Sequence, residues 1–106
     1  MNIRQQLSSV KRRYSEIDIP GGKAFIQSLS ELERTTLFAE AKSDLSRLHA
    51  LLIAFCLVDE NKDRVYTEHD KDIEEILNLD SAVTSPIIEL IQEHIVAPSF
   101  DETVKN

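Results

Sequence analysis

The chain of 106 residues has little of what several classes of protein require. Its single cysteine, Cys56, has no partner for an internal disulfide, which favours a reducing cytoplasm. The longest apolar run, Ala50 to Val58, has nine residues, whereas a helix needs about 20 to span a bilayer. The first 14 residues also lack the continuous apolar core of a secretory signal. We therefore expect neither a membrane segment nor export.

Glycine is also scarce, and the two glycines both lie in the sequence Pro20-Gly21-Gly22. Acidic and apolar residues alternate over 16–19, and an apolar run resumes at 24–26. Together with the turn residues, this pattern predicts a β-hairpin. A phosphate-binding loop needs more glycines and a following Lys-Ser or Lys-Thr pair, so the sequence does not indicate one.

The net charge of −7 is unevenly distributed. Residues 1–23 carry five basic and two acidic side chains, whereas the remainder carries seven basic and seventeen acidic ones. An acidic surface repels nucleic acid, so no nucleic-acid partner is expected. A small DNA-binding regulator using Lys11, Arg12 and Arg13 is an alternative. That cluster has no interleaved aromatic residues, however, and is typical of the solvated basic end of a helix.

Helical periodicity indicates helices on both sides of the predicted hairpin. Four apolar or aromatic residues fall on one face of a short N-terminal helix that can dock on a neighbour. These are Ile3, Leu7, Val10 and Tyr14. Ser30 and Glu33 form a capping box, which predicts a helix start. An apolar stripe continues over 37–56, and the polar sequence Lys42-Ser43-Asp44 leaves open whether this is one helix or two.

The segment Ala50 to Val58 is apolar on all sides. This predicts either the central helix of the core or a self-association interface, and the sequence does not separate the two. The acidic cluster that follows is typical of a tight turn, and Val65-Tyr66 predicts a short strand that completes a second hairpin. Thr67 and Asp70 then form a second capping box at the start of a helix that ends near Leu79.

A last helix begins either at Asp80 or Ser81, or at Ser85 with Pro86 in its first position. Its apolar face is wider than one short helix needs to pack on a small domain, so we assign that face to partner binding. The assigned residues are Ile87, Ile88, Leu90, Ile91 and Ile95. Residues 97–106 are polar and without periodicity, which predicts a flexible tail.

These patterns predict a single α+β domain over 1–96. It should be mainly helical, with one or two short β-hairpins packed on three to five helices. No arrangement of side chains indicates an enzyme, and we expect no catalytic, cofactor or metal residues. His49, His69 and His94 lack zinc-ligand spacing, and a lone cysteine in an apolar run is typical of inert core.

The loop from Asp59 to Asp70 supports an alternative function. Asp59, Asn61, Asp63 and Asp70 occupy positions one, three, five and twelve of a calcium-binding loop. The glycine at position six and the glutamate at position twelve are replaced by Arg64 and by Asp70 itself, and both replacements disfavour calcium. A small calcium-responsive or protein-binding regulatory module remains the alternative hypothesis.

An ordered set of motifs resembles the tail assembly chaperones of long-tailed bacteriophages. A hairpin precedes the first capping box, and a helix ends in Cys56-Leu57-Val58-Asp59-Glu60. After a turn come Val65-Tyr66, Thr67-Glu68-His69-Asp70 and a final amphipathic helix. The resemblance covers about three quarters of the chain, from 17 to 95. This sequence departs from the family at the turn, where a glycine is common and Asn61-Lys62-Asp63 stands here.

The resemblance implies a non-enzymatic chaperone that coats the long, mostly helical tape measure protein and keeps it soluble in the host bacterial cytoplasm. Major tail protein then polymerises around the tape measure protein and displaces the chaperone, which is not expected in the mature virion. A longer form is often made by ribosomal frameshifting in such phages. An extension attached to the tail from Ala97 would be the part that contacts major tail protein. Excess apolar surface and net negative charge suit this role.

Overall fold

The computed structural model describes the backbone of residues 2–96 and the side chains of residues 2–94. It contains five helices and one three-stranded antiparallel sheet, which confirms the predicted α+β class. The predicted tail, 97–106, lies outside the described residues. In chain order the elements are α1 (Ile3–Ser8), β1 (Tyr14–Ile19), β2 (Gly22–Gln27), α2 (Glu31–Ala41), α3 (Leu45–Cys56), β3 (Leu57–Val58), α4 (Asp70–Leu77) and α5 (Ser81–Val96).

The first hairpin is confirmed, with Tyr14 opposite Gln27 and Ile19 opposite Gly22. Gly21 has a φ of 84°, a conformation that glycine adopts without steric cost. Strand β3 adds to the other edge of β2, where Val58 lies opposite Phe25. The sheet order is therefore β1-β2-β3, and β1 is an edge strand.

The predicted strand at Val65-Tyr66 is wrong. Pairing across the turn consists of a single bridge between Val58 and Arg64, with backbone bonds from the Asp59 N–H to the Asp63 carbonyl and from the Val65 N–H to the Leu57 carbonyl. The chain then leaves the sheet because the backbone N–H and the hydroxyl of Thr67 both donate to Asp72 in α4, at 2.7 and 2.8 Å.

The stripe over 37–56 forms two helices. The capping box at the start of α2 is confirmed, since Ser30 accepts from the Glu33 N–H and Glu33 accepts from the Ser30 N–H. Helix α2 ends where Lys42 and Ser43 adopt φ values of 51° and 65°, in the left-handed region. Asp44 then caps α3 by accepting from the Arg47 N–H.

Helix α3 is the centre of the core. Every residue from Ala50 to Cys56 is buried, as the apolar run predicted. The helix contacts α2, α4, α5 and β3, so the chain's own elements cover it on several sides. This resolves the choice between core and self-association interface for these residues in favour of core.

The second capping box is also wrong. Asp70 is the first residue of α4, and His69, at the N-cap, makes no side-chain capping bond. Asp72, not Asp70, is the third helical residue and accepts from Thr67, so the reciprocal bonds of a capping box do not form. The start of α5 agrees with the first of the two predicted registers, since the Asp80 carboxylate accepts from the Ala82 N–H at 2.8 Å.

Candidate partner-binding surface

The face of α5 assigned to partner binding packs mostly inside the molecule. Ile87, Ile88 and Ile91 are buried, and Ile91 has no exposed surface. They belong to the same apolar cluster as α3, which α5 contacts directly. The width of the apolar face is therefore explained by packing within the chain, and these three side chains are not free to contact a partner.

Leu90 is the member of the set that reaches solvent, with 40% of its surface exposed. The side chain of Ile95 lies outside the described residues. Leu90 lines a groove of about 460 Å³ beside the edge strand β1, together with Glu93 and His94 from the same helix. The other wall includes Glu16, Asp18 and Lys23 of the hairpin, so charged groups of both signs border the groove.

Two residues tie the start of β1 to the end of α5. The Arg13 guanidinium donates to the His94 carbonyl at 3.0 Å, and His94 Nε2 lies 3.3 Å from the Arg13 carbonyl, to which it can donate. The Arg13 N–H also donates to Ser28 Oγ at 2.8 Å. Burial lowers the pKa of His94, although the bond to the Arg13 carbonyl opposes this shift. This contact fixes α5 on the sheet.

A second groove, more apolar, lies where α2 meets α3. Its volume is about 270 Å³ and its apolar wall consists of Phe38 and Ala41 from α2 and Leu45 and Leu48 from α3. Phe38 and Leu45 are 47% and 66% exposed, so large apolar surfaces face solvent here. We call these four residues the α2–α3 groove.

The break between the helices creates this groove. Because Lys42 and Ser43 turn in the left-handed region, the chain changes direction over 42–44 and α3 starts beside the end of α2. Leu45, the first residue of α3, is thereby placed near Phe38 while the buried Leu37 and Ala41 hold α2 on the core. Asp44 lies on the rim, where its carboxylate caps α3.

The segment before β1 forms a third exposed apolar feature. We call residues 2–11 the arm. All of them are exposed, and Ile3 and Leu7 both have 72% of their surface in solvent. The predicted amphipathic helix exists but ends at Ser8, so the predicted placement of Lys11, Arg12 and Arg13 at its carboxyl end is wrong. Arg12 instead pairs with Glu33 at 2.8 Å.

The Asp59–Asp70 loop is organised around its own backbone. Asp59 Oδ1 accepts from the N–H groups of Asn61 and Asp63, at 2.8 and 3.1 Å. The Lys62 ammonium lies over the rings of Tyr14 and Phe25, which fastens the turn to the sheet. Within the described part of the chain, no three acidic, histidine or cysteine side chains gather in a metal-binding group. The Asp59 carboxylate therefore stabilises the turn.

Two polar side chains cap the end of α3 in a role that the sequence patterns did not predict. Arg64, which takes the glycine position of the calcium pattern, donates to the Ala54 carbonyl at 2.8 Å and stacks on Phe55. The buried Gln27 donates to the Phe55 carbonyl at 2.9 Å. Both satisfy carbonyl groups that a helix end leaves without partners. The isolated sequence signals, a lone glutamine and a turn arginine, carry no pattern that would reveal this.

Cys56 is enclosed in the core, and burial raises the pKa of its thiol to about 12. A thiolate is the reactive form, so this residue is suited to packing and not to nucleophilic attack. None of the helices within residues 2–96 has the combination of length and apolar character that crossing a bilayer requires.

Searches of family models, of curated proteins and of solved structures gave no match to this chain.

Proposed function

We propose that this chain is a non-enzymatic assembly factor of the phage tail assembly chaperone type. It binds the tape measure protein in the host bacterial cytoplasm and keeps it soluble until the tail tube polymerises. The ordered motifs from residue 17 to residue 95 support this proposal. The single structural observation that carries it is the α2–α3 groove, an exposed apolar surface.

The groove is suited to a helical partner. Amphipathic helices bind by inserting apolar side chains into a groove between helices, with anchors spaced three or four residues apart. The α2–α3 groove presents Phe38, Leu45 and Leu48 for such anchors. A tape measure protein, being long and mostly helical, offers many anchors of this kind. The partner-binding residues that we propose are therefore in α2 and α3, and no longer on the apolar face of α5.

The charge of the chain supports a holding role. A protein that coats an apolar partner must itself remain soluble, and a net charge of −7 in 106 residues provides mutual repulsion between coated complexes. An extended form, continuing beyond residue 106, would add the contact with major tail protein.

Coexpression tests the function directly. The tape measure protein from the same genome is expressed with an affinity tag, either with this chain or with an empty vector. We expect soluble tape measure protein carrying several copies of this chain, seen by size exclusion, only in the first case. Tape measure protein that precipitates in both cases, with this chain eluting free, would contradict the proposal.

A further inference from the structure

The arm has no partner within the described molecule. Every hydrogen bond of residues 2–10 that the structure records closes within the segment itself. Its apolar residues lie in solvent: Ile3 and Leu7 are four positions apart on one face of α1, and Val10 follows the end of that helix. Leaving such side chains in water is unfavourable, since burying one fully is worth about 1.5–3 kcal/mol. The arm therefore carries apolar surface that a second surface would bury with a gain in free energy.

The same molecule presents an apolar site without an occupant. The α2–α3 groove has an apolar lining, in which Phe38 from α2 and Leu45 from α3 remain exposed. One chain thus carries both halves of a possible contact, and neither half is covered by the chain's other described residues.

Charge favours a second copy as the partner of the arm. Residues 2–11 contain two basic residues, Arg4 and Lys11, and no acidic residue, whereas the rest of the chain contains ten basic and nineteen acidic residues. The arm of one copy is therefore attracted to the body of another, while two arms repel each other and two bodies do the same. The rim of the groove carries Asp44, a carboxylate that a basic arm can approach.

The base of the arm is fixed on its own chain. Arg12 pairs with Glu33 near the start of α2, and Arg13 is held by Ser28 and His94. The groove lies at the other end of α2. Beyond this anchored base, residues 2–11 are all exposed and the recorded hydrogen bonds of residues 2–10 stay within that segment, so its apolar side chains are open to another molecule.

We propose that two copies of this chain associate by exchanging arms, each placing Ile3, Leu7 and Val10 in the α2–α3 groove of the other. Reciprocal exchange forms two equal contacts related by a twofold axis. Once the first contact has formed, the second forms within the same complex, which favours it through a high effective concentration. The association is a property of the chain alone. A further consequence, that a helical partner must displace the arm to enter the groove, rests on the proposed function.

The test uses four variants of the full chain without any partner protein. Leu7→Asp disables the arm, and Ser8→Asp places the same charge at the next position of α1 as its control. Leu45→Asp disables the groove. Leu32→Asp is its control, because Leu32 is 74% exposed, lies in the first turn of α2 and does not line the groove. Sedimentation velocity and native mass spectrometry give the species present up to millimolar concentration.

We expect wild type and both controls to dimerise, and the arm and groove variants to dissociate with constants at least about tenfold higher, which corresponds to 1.4 kcal/mol or more. Mixing the arm variant with the groove variant should restore a one-to-one heterodimer, because one intact arm and one intact groove remain. A monomeric wild type would overturn the proposal. It would also be overturned if the arm or groove variant dimerised like wild type, or if the mixture gave no heterodimer, which would indicate pairing between like surfaces.

Discussion

Helix α5 provides a sharp test of the structure, because neighbouring residues on it differ completely in environment. Ile91 has no exposed surface and lies in the core, whereas Leu90 is 40% exposed beside β1. The apolar pattern of α5 gave both residues the same role in partner binding. Replacing each one by alanine separates the two interpretations.

The expected loss at Ile91 is large. Ile91→Ala removes three carbon atoms, at about 0.8 kcal/mol each in lost transfer free energy, or about 2.4 kcal/mol. The cavity left in a close-packed core adds to this, and buried Ile→Ala changes cost about 2–5 kcal/mol in total. Leu90→Ala leaves no closed cavity, and the removed atoms are partly in water already, so we expect about 1 kcal/mol or less.

Urea unfolding followed by circular dichroism measures both values. A domain of 106 residues has an unfolding free energy of about 5–15 kcal/mol, so both variants should fold. A loss of about 3 kcal/mol lowers Tm by roughly 10–20 °C for a domain of this size. Equal losses at the two positions, or a loss at Ile91 below about 1 kcal/mol, would refute the placement of α5 in the core.

Three further predictions concern Gln27 and Cys56, which are buried, and His94, which is half-buried. Gln27→Leu should lower the unfolding free energy by about 1–3 kcal/mol in urea titrations, since the Phe55 carbonyl loses its donor; an unchanged value would show that water replaces that donor. The folded protein holds the pKa of His94 below its ordinary value of 6.5, so the unfolded chain binds the extra proton first as pH falls. The unfolding free energy should therefore decrease as pH falls through 6.5 and level off below the folded pKa, and His94→Gln should flatten this slope. A slope unchanged in that variant would assign the effect to another group. Cys56, with a pKa raised to about 12, should resist thiol reagents at mildly alkaline pH until denaturant is added; stoichiometric labelling of the folded protein would show that the core opens.

Local chemistry made much of the fold predictable. Three local patterns predicted their elements correctly: the Pro20-Gly21 turn, the Ser30 capping box and the apolar run from Ala50. Turn geometry, capping bonds and burial of such a run depend mainly on residues close in sequence. The failures lie at Val65-Tyr66 and Thr67, where Asp72, five residues ahead, takes the hydrogen bonds of Thr67. A short strand pattern or a capping pattern does not show which of several nearby carboxylates will accept the hydrogen bonds of Thr67.

The candidate site was less accessible to sequence reasoning. Periodicity on α5 identified an apolar face correctly, but it does not say whether the chain itself or a partner covers that face, and α3 covers it. The α2–α3 groove depends on left-handed conformations at Lys42 and Ser43: the polar sequence over 42–44 allows a break between helices, but neither residue is the glycine that would predict this turn. Exposure of Phe38 and Leu45 is a result of tertiary packing and has no signature in the sequence.

The claim that the α2–α3 groove binds the partner is tested most directly by measuring the affinity of a helical tape measure fragment for three proteins. These are wild type, Leu45→Asp and Leu32→Asp. Both substitutions put an acidic residue in the first turn of a helix, where it is tolerated, so all three should fold alike. We predict binding at least about tenfold weaker for Leu45→Asp and unchanged for Leu32→Asp. Equal affinity for all three proteins would contradict the assignment of the groove.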